Sequence, residues 1–335
     1  MITLDTKLME EVEQRYGLSL LEDDPQQSGS GEVHILKTDQ GPRVLKKHDS
    51  SFERDRLAFQ HIVLGYLNDK GLNVFPIAYP IRGTTETIFN HQGSDYALYV
   101  FKDGHFHSWN IEELKDAART LARFHQATVP FTTFQGNDDS FLGRCAQSTE
   151  DLILKIQQAE GVYSSNIAAT LQEALPALER LKIDFDQATQ EERYLPAMRE
   201  TSLIHRDYHQ RNVLFKDDQV SGVFDLDGVA PGKRIYDLAF AIHEFNSIYE
   251  ETDGTFKLKE VDMERARTFL EAYQSTFPIP GPVEDLILLT TAYRHIARLE
   301  FELKKGANAD EIFLQGISRT VSLLPNTYAS LKRGE

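Results

Sequence analysis

The chain has 335 residues, 41% of them hydrophobic and 26% charged, with a formal net charge of −16. That balance fits one large or two moderate globular domains, and the acidic excess argues against nucleic-acid binding through a broad basic face. A lone cysteine, Cys145, excludes an intramolecular disulfide and argues against a cysteine metal site. No apolar run approaches the roughly 18 residues of a membrane span, and the N-terminus lacks a signal-like segment, so the expected setting is cytoplasmic with no membrane partner.

Leu4, Leu8, Val12 and Tyr16 recur at helical spacing and predict a helix over 4–16. Ser28-Gly29-Ser30-Gly31 precedes the first of two expected strands, which flank an Asp39-Gln40-Gly41 turn. The second strand carries Lys46 and Lys47 on opposite faces. Residues 51–68 have a helical period, with Phe59, Ile62, Val63 and Tyr66 as the expected buried stripe. Pro76 and Pro80 mark a loop, and residues 84–90 and 95–101 read as strands around His91-Gln92-Gly93. Asn110 with Glu113 forms a capping pair for a helix whose stripe is Leu114, Ala118, Leu121 and Phe124 or His125. Residues 149–160 and 165–182 read as two further helices without a legible motif.

The informative stretch is 203–242. His205-Arg206-Asp207 lies five positions before Asn212, and two apolar runs flank the polar turn Lys216-Asp217-Asp218-Gln219. The runs predict a β-hairpin. Asn212 enters its first strand and Asp225 leaves its second, so the two are neighbours at one end, with Asp207 just upstream. A carboxylate to orient a hydroxyl, next to hard oxygen donors suited to Mg²⁺, is what phosphoryl transfer requires of a protein. Asp237 then opens a helix expected over 236–249, and three more helices are expected over 262–277, 282–305 and 309–323.

The H-R-D-x-x-x-x-N spacing is that of a kinase catalytic loop. His209 stands where protein kinases carry Lys, Asp225-Leu226-Asp227 replaces D-F-G, and only twelve positions separate Asp225 from Asp237, too few for an activation loop. On these features the chain resembles the small-molecule kinases of the aminoglycoside phosphotransferase, choline kinase and homoserine kinase superfamily. Arg206 departs from that group, which commonly has Gly there.

The resemblance implies a two-lobed α+β, protein-kinase-like fold. Residues 1–102 would be the nucleotide-binding lobe, with a five-stranded antiparallel sheet and a helix. Residues 103–335 would be a mainly helical catalytic and acceptor-binding lobe, with ATP between the two. It implies Asp207 as catalytic base, Asn212 and Asp225 as Mg²⁺ ligands, and Lys46 on the phosphates. Ser28, Gly29 and Gly31 would belong to the glycine-rich loop, Glu53 or Asp55 would pair with the lysine (Glu53 has the longer reach), and the backbone from Val100 to Lys102 would meet adenine. Asp227 and His209 would support the metal or the substrate, Asp237 would brace the catalytic loop, and His125 would be structural. The implied reaction moves the γ-phosphoryl of ATP to a hydroxyl of a small amino alcohol, amino acid or aminosugar; an amine on the acceptor also suits an acidic chain. The alternatives are a Ser/Thr protein kinase and a non-catalytic kinase-like protein of the spore-coat type.

Overall fold

The computed structural model describes residues 5–28, 31–48, 54–132, 141–158, 165–252, 255–305 and 321. The chain divides into two compact units, Met1–Ser108 with Arg211–Val229, and Trp109–Gln210 with Ala230–Glu335. In this division the hairpin carrying Asn212 and Asp225 groups with the N-terminal residues.

The first unit opens with α1 (Thr6–Tyr16), whose N-terminus is capped by the Asp5 carboxylate accepting from the Lys7 N–H. Gly17, at φ +63°, ends it in the left-handed conformation that glycine adopts without strain. Five strands follow: β1 (Leu20–Ser28), β2 (Gly31–Thr38), β3 (Arg43–His48), β4 (Phe89–His91) and β5 (Ser94–Val100). They form an antiparallel sheet in the order β1-β2-β3-β5-β4. β1 is an edge strand, which explains how it tolerates Pro25 and a run of acids that hide its strand character in the sequence. The glycine segment therefore lies between the first and second strands rather than ahead of the first; Gly29 itself is outside the described residues. Leu8 and Val12 of α1 pack with Leu36, Leu45 and Leu98 of the sheet to make the unit's core.

α2 (Arg54–Asp69) buries Leu57, Gln60, His61, Leu64 and Leu67. Of the expected stripe, Val63 is also fully buried and Phe59 and Tyr66 are half-buried, while Ile62 is 63% exposed. The buried face is thus shifted from that stripe to include the polar Gln60 and His61 beside Val63. Residues 84–88 form no strand, so β4 is shorter than expected.

After the short β6 (His105–Phe106), the second unit begins with α3 (Ile111–Thr128), whose Asn110 cap accepts from the Glu112 N–H at 2.9 Å. α4 (Phe141–Gln157), α5 (Ser165–Gln190), α6 (Leu195–Arg199) and β7 (Thr201–Ile204) complete its first half. The hairpin is β8 (Val213–Lys216) and β9 (Gln219–Val223). Its turn residues Asp217 and Asp218 sit at φ +51° and +60°, the primed-turn geometry that matches strand twist. β6 pairs with β8.

The remaining elements are β10 (Ala230–Lys233), antiparallel to β7, then α7 (Arg234–Asn246), β11 (Ser247–Thr252), β12 (Thr255–Val261), α8 (Met263–Thr276) and α9 (Val283–Leu303). The helix expected to reach 249 stops at Asn246, and an unexpected hairpin follows. Short apolar runs such as Ser247-Ile248-Tyr249 suit a helix or a strand equally, so periodicity does not separate them. The helix expected over 309–323 lies outside the described residues except for 321. In this unit α3 packs on α8, α7 on α9 and α4 on α5. Among the described residues no helix is long and apolar enough to cross a membrane.

Gly104 shows how tightly β6 is seated in the first unit. A Cβ there would lie 2.5 Å from Ser221 Oγ and 2.7 Å from the Phe215 carbonyl oxygen, and φ is +156°. Backbone cannot yield as a flexible side chain does. Gly104→Ala is expected to cost about 2 kcal/mol of stability, read as a lower urea midpoint at unchanged slope.

Candidate active site

In the first unit, Lys46 on β3 enters a cleft of about 310 Å³. Val33, Val44, Leu64 and Leu214 supply apolar walls, while Lys46, Asn212 and Asp225 supply polar groups. Val100, Phe101 and Lys102 also line it. The N–H of Val100 donates to the Ile77 carbonyl at 3.0 Å, so that group is already engaged. Lys102 donates to the Asn73 carbonyl.

The hairpin delivers the acids. Phe224 N–H donates to the Asn212 carbonyl at 2.9 Å, which places Asn212 next to the residue preceding Asp225. The strand ends at Val223, and residues 226–228 form a tight turn. Asp225 takes φ +61°, a conformation that a short polar side chain tolerates. Asp225 and Asp227 therefore do not lie on a continuing strand, yet the turn brings both to the same lysine. Lys46 Nζ is 2.9 Å from Asp227 Oδ2 and 3.4 Å from Asp225 Oδ1.

Burial alone would push the Asp227 carboxyl up, but the Lys46 ammonium outweighs it and holds the group below the usual carboxylate range. Gln60 also favours the charged form of Asp227, whose Oδ1 is buried. Behind the lysine, His48 Nε2 and His61 Nε2 both meet the Tyr99 hydroxyl, at 3.1 and 2.7 Å. Burial, and then the neighbouring lysine, lowers His48 to about 4, so the network is neutral.

A nucleotide-bound Mg²⁺ needs one or two carboxylates, with phosphates and water completing its shell. Asp225, Asn212 and the buried oxygen of Asp227 fit that demand. Among the described residues no cluster of three or more His, Cys, Asp or Glu forms a self-sufficient metal cage.

Glu53 lies outside the described residues. Asp55, its alternative, is exposed in the first turn of α2. The carboxylates that meet Lys46 among the described residues come from the turn after β9 instead. Ser28 ends β1 and Gly31 begins β2.

The second unit holds Asp207 on a loop whose backbone is fixed by Asp237. The N–H groups of His205 and Arg206 donate to Asp237 Oδ2 and Oδ1, each at 2.8 Å. His125 Nε2 reaches Asp237 Oδ2 at 3.0 Å, and its Nδ1 meets the Tyr273 hydroxyl at 2.7 Å. The carboxylate fixes the proton on Nε2, leaving Nδ1 to accept. Burial raises the Asp237 carboxyl, but His125 and the loop amides outweigh it, and the group stays below its ordinary range. Tyr208, fully buried, donates from its hydroxyl to the Ala117 carbonyl at 2.9 Å.

Arg206 sits at φ +71°. For a residue with a Cβ this costs about 1–2 kcal/mol, which accounts for glycine being common at this position in the kinases the chain resembles. Here the strained peptide is gripped from both sides: its N–H by Asp237, its carbonyl by Arg294 Nη1 at 2.7 Å. Arg294, on α9, also lies 3.5 Å from Asp207 Oδ1 and stacks 3.3 Å from the centroid of the Phe240 ring. No motif in the sequence marks it. His209 Nε2 is 3.3 Å from Asp207 Oδ2. Burial raises the Asp207 carboxyl, while the His209 hydrogen bond and the Arg294 charge pull it lower overall, so it is an ionised acceptor at neutral pH.

Removing Arg294's charge removes one of the forces favouring the Asp207 carboxylate. Arg294→Gln is expected to move the Asp207 titration to higher pH, read directly by following its carboxyl ¹³C shift against pH.

Comparison with known proteins follows from this geometry. The sequence profile described as the APH phosphotransferase enzyme family matches residues 27–278. The chain is 25% identical over 264 residues to a homoserine kinase of Bartonella henselae, covering 76% of this chain and 72% of that one. Its fold is similar to that of an aminoglycoside phosphotransferase from Alicyclobacillus acidocaldarius, with a TM-score of 0.69 at 14% identity over 99% of this chain and 97% of that one. It is also similar to choline kinase from Cryptosporidium parvum, with a TM-score of 0.61 at 13% identity over 98% and 96%. The fold is the protein-kinase-like α+β architecture with an antiparallel sheet in one lobe and helices in the other. By the profile that spans most of its length, the chain belongs to the APH family of phosphotransferase enzymes.

Proposed function

We propose that the protein transfers the γ-phosphoryl group of ATP to a hydroxyl of a small molecule. The observation that carries this reading is the conjunction at Lys46: one ammonium, two carboxylates and an amide-bearing residue at the polar side of an apolar-walled cleft. Apolar walls suit a flat base, and the lysine and acids suit a metal-bound polyphosphate. In this reading Lys46 holds the phosphates, and Asp225 and Asn212 hold Mg²⁺, with Asp227 orienting Lys46. The metal supplies charge neutralisation on the transferred group. Backbone groups near Phe101 and Lys102 meet the base.

Asp207 is the acceptor-side residue. Its carboxylate, kept ionised by His209 and Arg294, orients the acceptor hydroxyl and receives its proton as the phosphoryl moves. The loop's fixed backbone keeps that carboxylate from drifting, and positioning is most of what a phosphotransferase supplies.

Two substitutions separate the roles. Asp207→Asn is expected to lower acceptor-dependent turnover by about 10³-fold or more with nucleotide affinity nearly intact. Asp225→Asn is expected to abolish the gain in nucleotide affinity that Mg²⁺ gives the native protein. Calorimetric titration of nucleotide with and without Mg²⁺, beside ADP release over a panel of alcohols, reads both. An Asp207→Asn protein with native turnover, or an Asp225→Asn protein with full Mg²⁺ enhancement, contradicts the assignment.

A further inference from the structure

Three helices of the second unit meet in a ring of fully buried side chains: Arg234 and Asp237 on α7, Tyr273 on α8 and His125 on α3. Arg234 and Asp237 stand one turn apart on the same face of their helix. Arg234 Nε lies 3.3 Å from the Tyr273 hydroxyl, that hydroxyl 2.7 Å from His125 Nδ1, and His125 Nε2 3.0 Å from Asp237 Oδ2. The chemistry of the two ends orders every proton between them. A guanidinium only donates, and an ionised carboxylate only accepts. Arg234 therefore occupies a lone pair of the Tyr273 oxygen, the hydroxyl proton turns to Nδ1, and the imidazole proton stays on Nε2, facing Asp237. Burial supports this order: it pushes the Tyr273 phenol up and the His125 imidazole down, so both are neutral.

The rest of the arginine serves the fold. Its Nη1 donates to Glu200 at 2.9 Å, and its Nη2 donates to the carbonyls of Phe277 and Pro278, just past the end of α8, at 2.7 and 2.9 Å. The guanidinium carbon lies 3.7 Å from the centre of the Phe277 ring. Those contacts alone would hold the start of α7 against the end of α8. The Nε contact adds what they do not, the direction of the Tyr273 hydroxyl. Hydrogen bonds that point one way along a chain polarise one another. Donation to Asp237 is thus strengthened at the carboxylate that grips the His205 and Arg206 amides. We propose that Tyr273, oriented by Arg234, is a positioning residue for phosphoryl transfer: its hydroxyl fixes the His125 ring and so the hold of Asp237 on the loop that carries Asp207. This rests on the phosphotransferase reading of Asp207 and deepens it. Tyr273 lies 66 positions beyond Asp207 and in no motif, so only the packing of α8 on α3 brings it into the ring.

The first measurement needs no variant. Histidine side-chain ¹⁵N shifts in the whole native protein report the tautomer of His125; the Nε2–H form is expected, and the Nδ1–H form overturns the proposal. Tyr273→Phe then removes the hydroxyl and keeps the ring. It is expected to move the His125 Nδ1 resonance towards that of a nitrogen with no donor, and to speed amide exchange at His205 and Arg206. Turnover is followed as ADP release with Mg²⁺-ATP and whichever of homoserine, choline, ethanolamine and spectinomycin reacts fastest. Tyr273→Phe is expected to lower kcat about fivefold or more while KM for Mg²⁺-ATP changes less than about twofold. In an Asp237→Asn background the same change is expected to cost less than about twofold, because residues that act through one another do not add. Native kcat or native exchange at both amides in Tyr273→Phe overturns the proposal. So does a loss of equal size in both backgrounds, the result for a hydroxyl that supports the fold alone. Binding of Mg²⁺-ATP without turnover of any acceptor contradicts the phosphotransferase reading and not the ring, because tautomer and exchange are read without substrate.

Discussion

The Asp237 carboxylate, wholly buried, accepts hydrogen bonds from two consecutive backbone amides and from a histidine. Charge-assisted bonds of this kind contribute about 1.5–3 kcal/mol each, enough to hold the neighbouring peptide in the left-handed conformation that Arg206 adopts. The position of Asp207 depends on that turn. Asp237 stands at the start of α7, Asp207 follows β7, and His125 belongs to α3, so one carboxylate ties three elements of the second unit to the loop that carries Asp207. Its buried charge is tolerable because every donor around it is satisfied by it.

The first unit solves the opposite problem. Lys46 faces two acids, Asp225 and Asp227, at the polar side of the cleft. The neutral His48–Tyr99–His61 network behind the lysine adds packing and hydrogen bonding without adding charge that would compete with the acids.

Much of this was legible in the residues, because the chemistry is local in sequence. The run from His205 to Asp237 places its acids within one loop, one hairpin and one helix start, and hairpin geometry alone brings Asn212 beside Asp225. What was hidden is what arises across long separations. Nothing in the sequence marks Arg294, since an arginine in an amphipathic helix is ordinary. The edge strand β1 was hidden by Pro25 and its acids, and the hairpin after α7 by apolar residues that suit either element. The pairing of Asp227 with Lys46 was reached through a turn rather than a continuing strand. Net charge was the least useful signal, because a sum over the whole surface says nothing about the lining of one cavity.

The account depends most on Asp237 fixing the catalytic loop through its backbone. Amide hydrogen exchange in Asp237→Asn measures this directly, because the variant removes one acceptor site and the charge while keeping the shape. The expected result is faster exchange at His205 and Arg206 by about tenfold or more, with the middle of α7 still protected. Native protection at both amides in a folded Asp237→Asn protein would contradict the account.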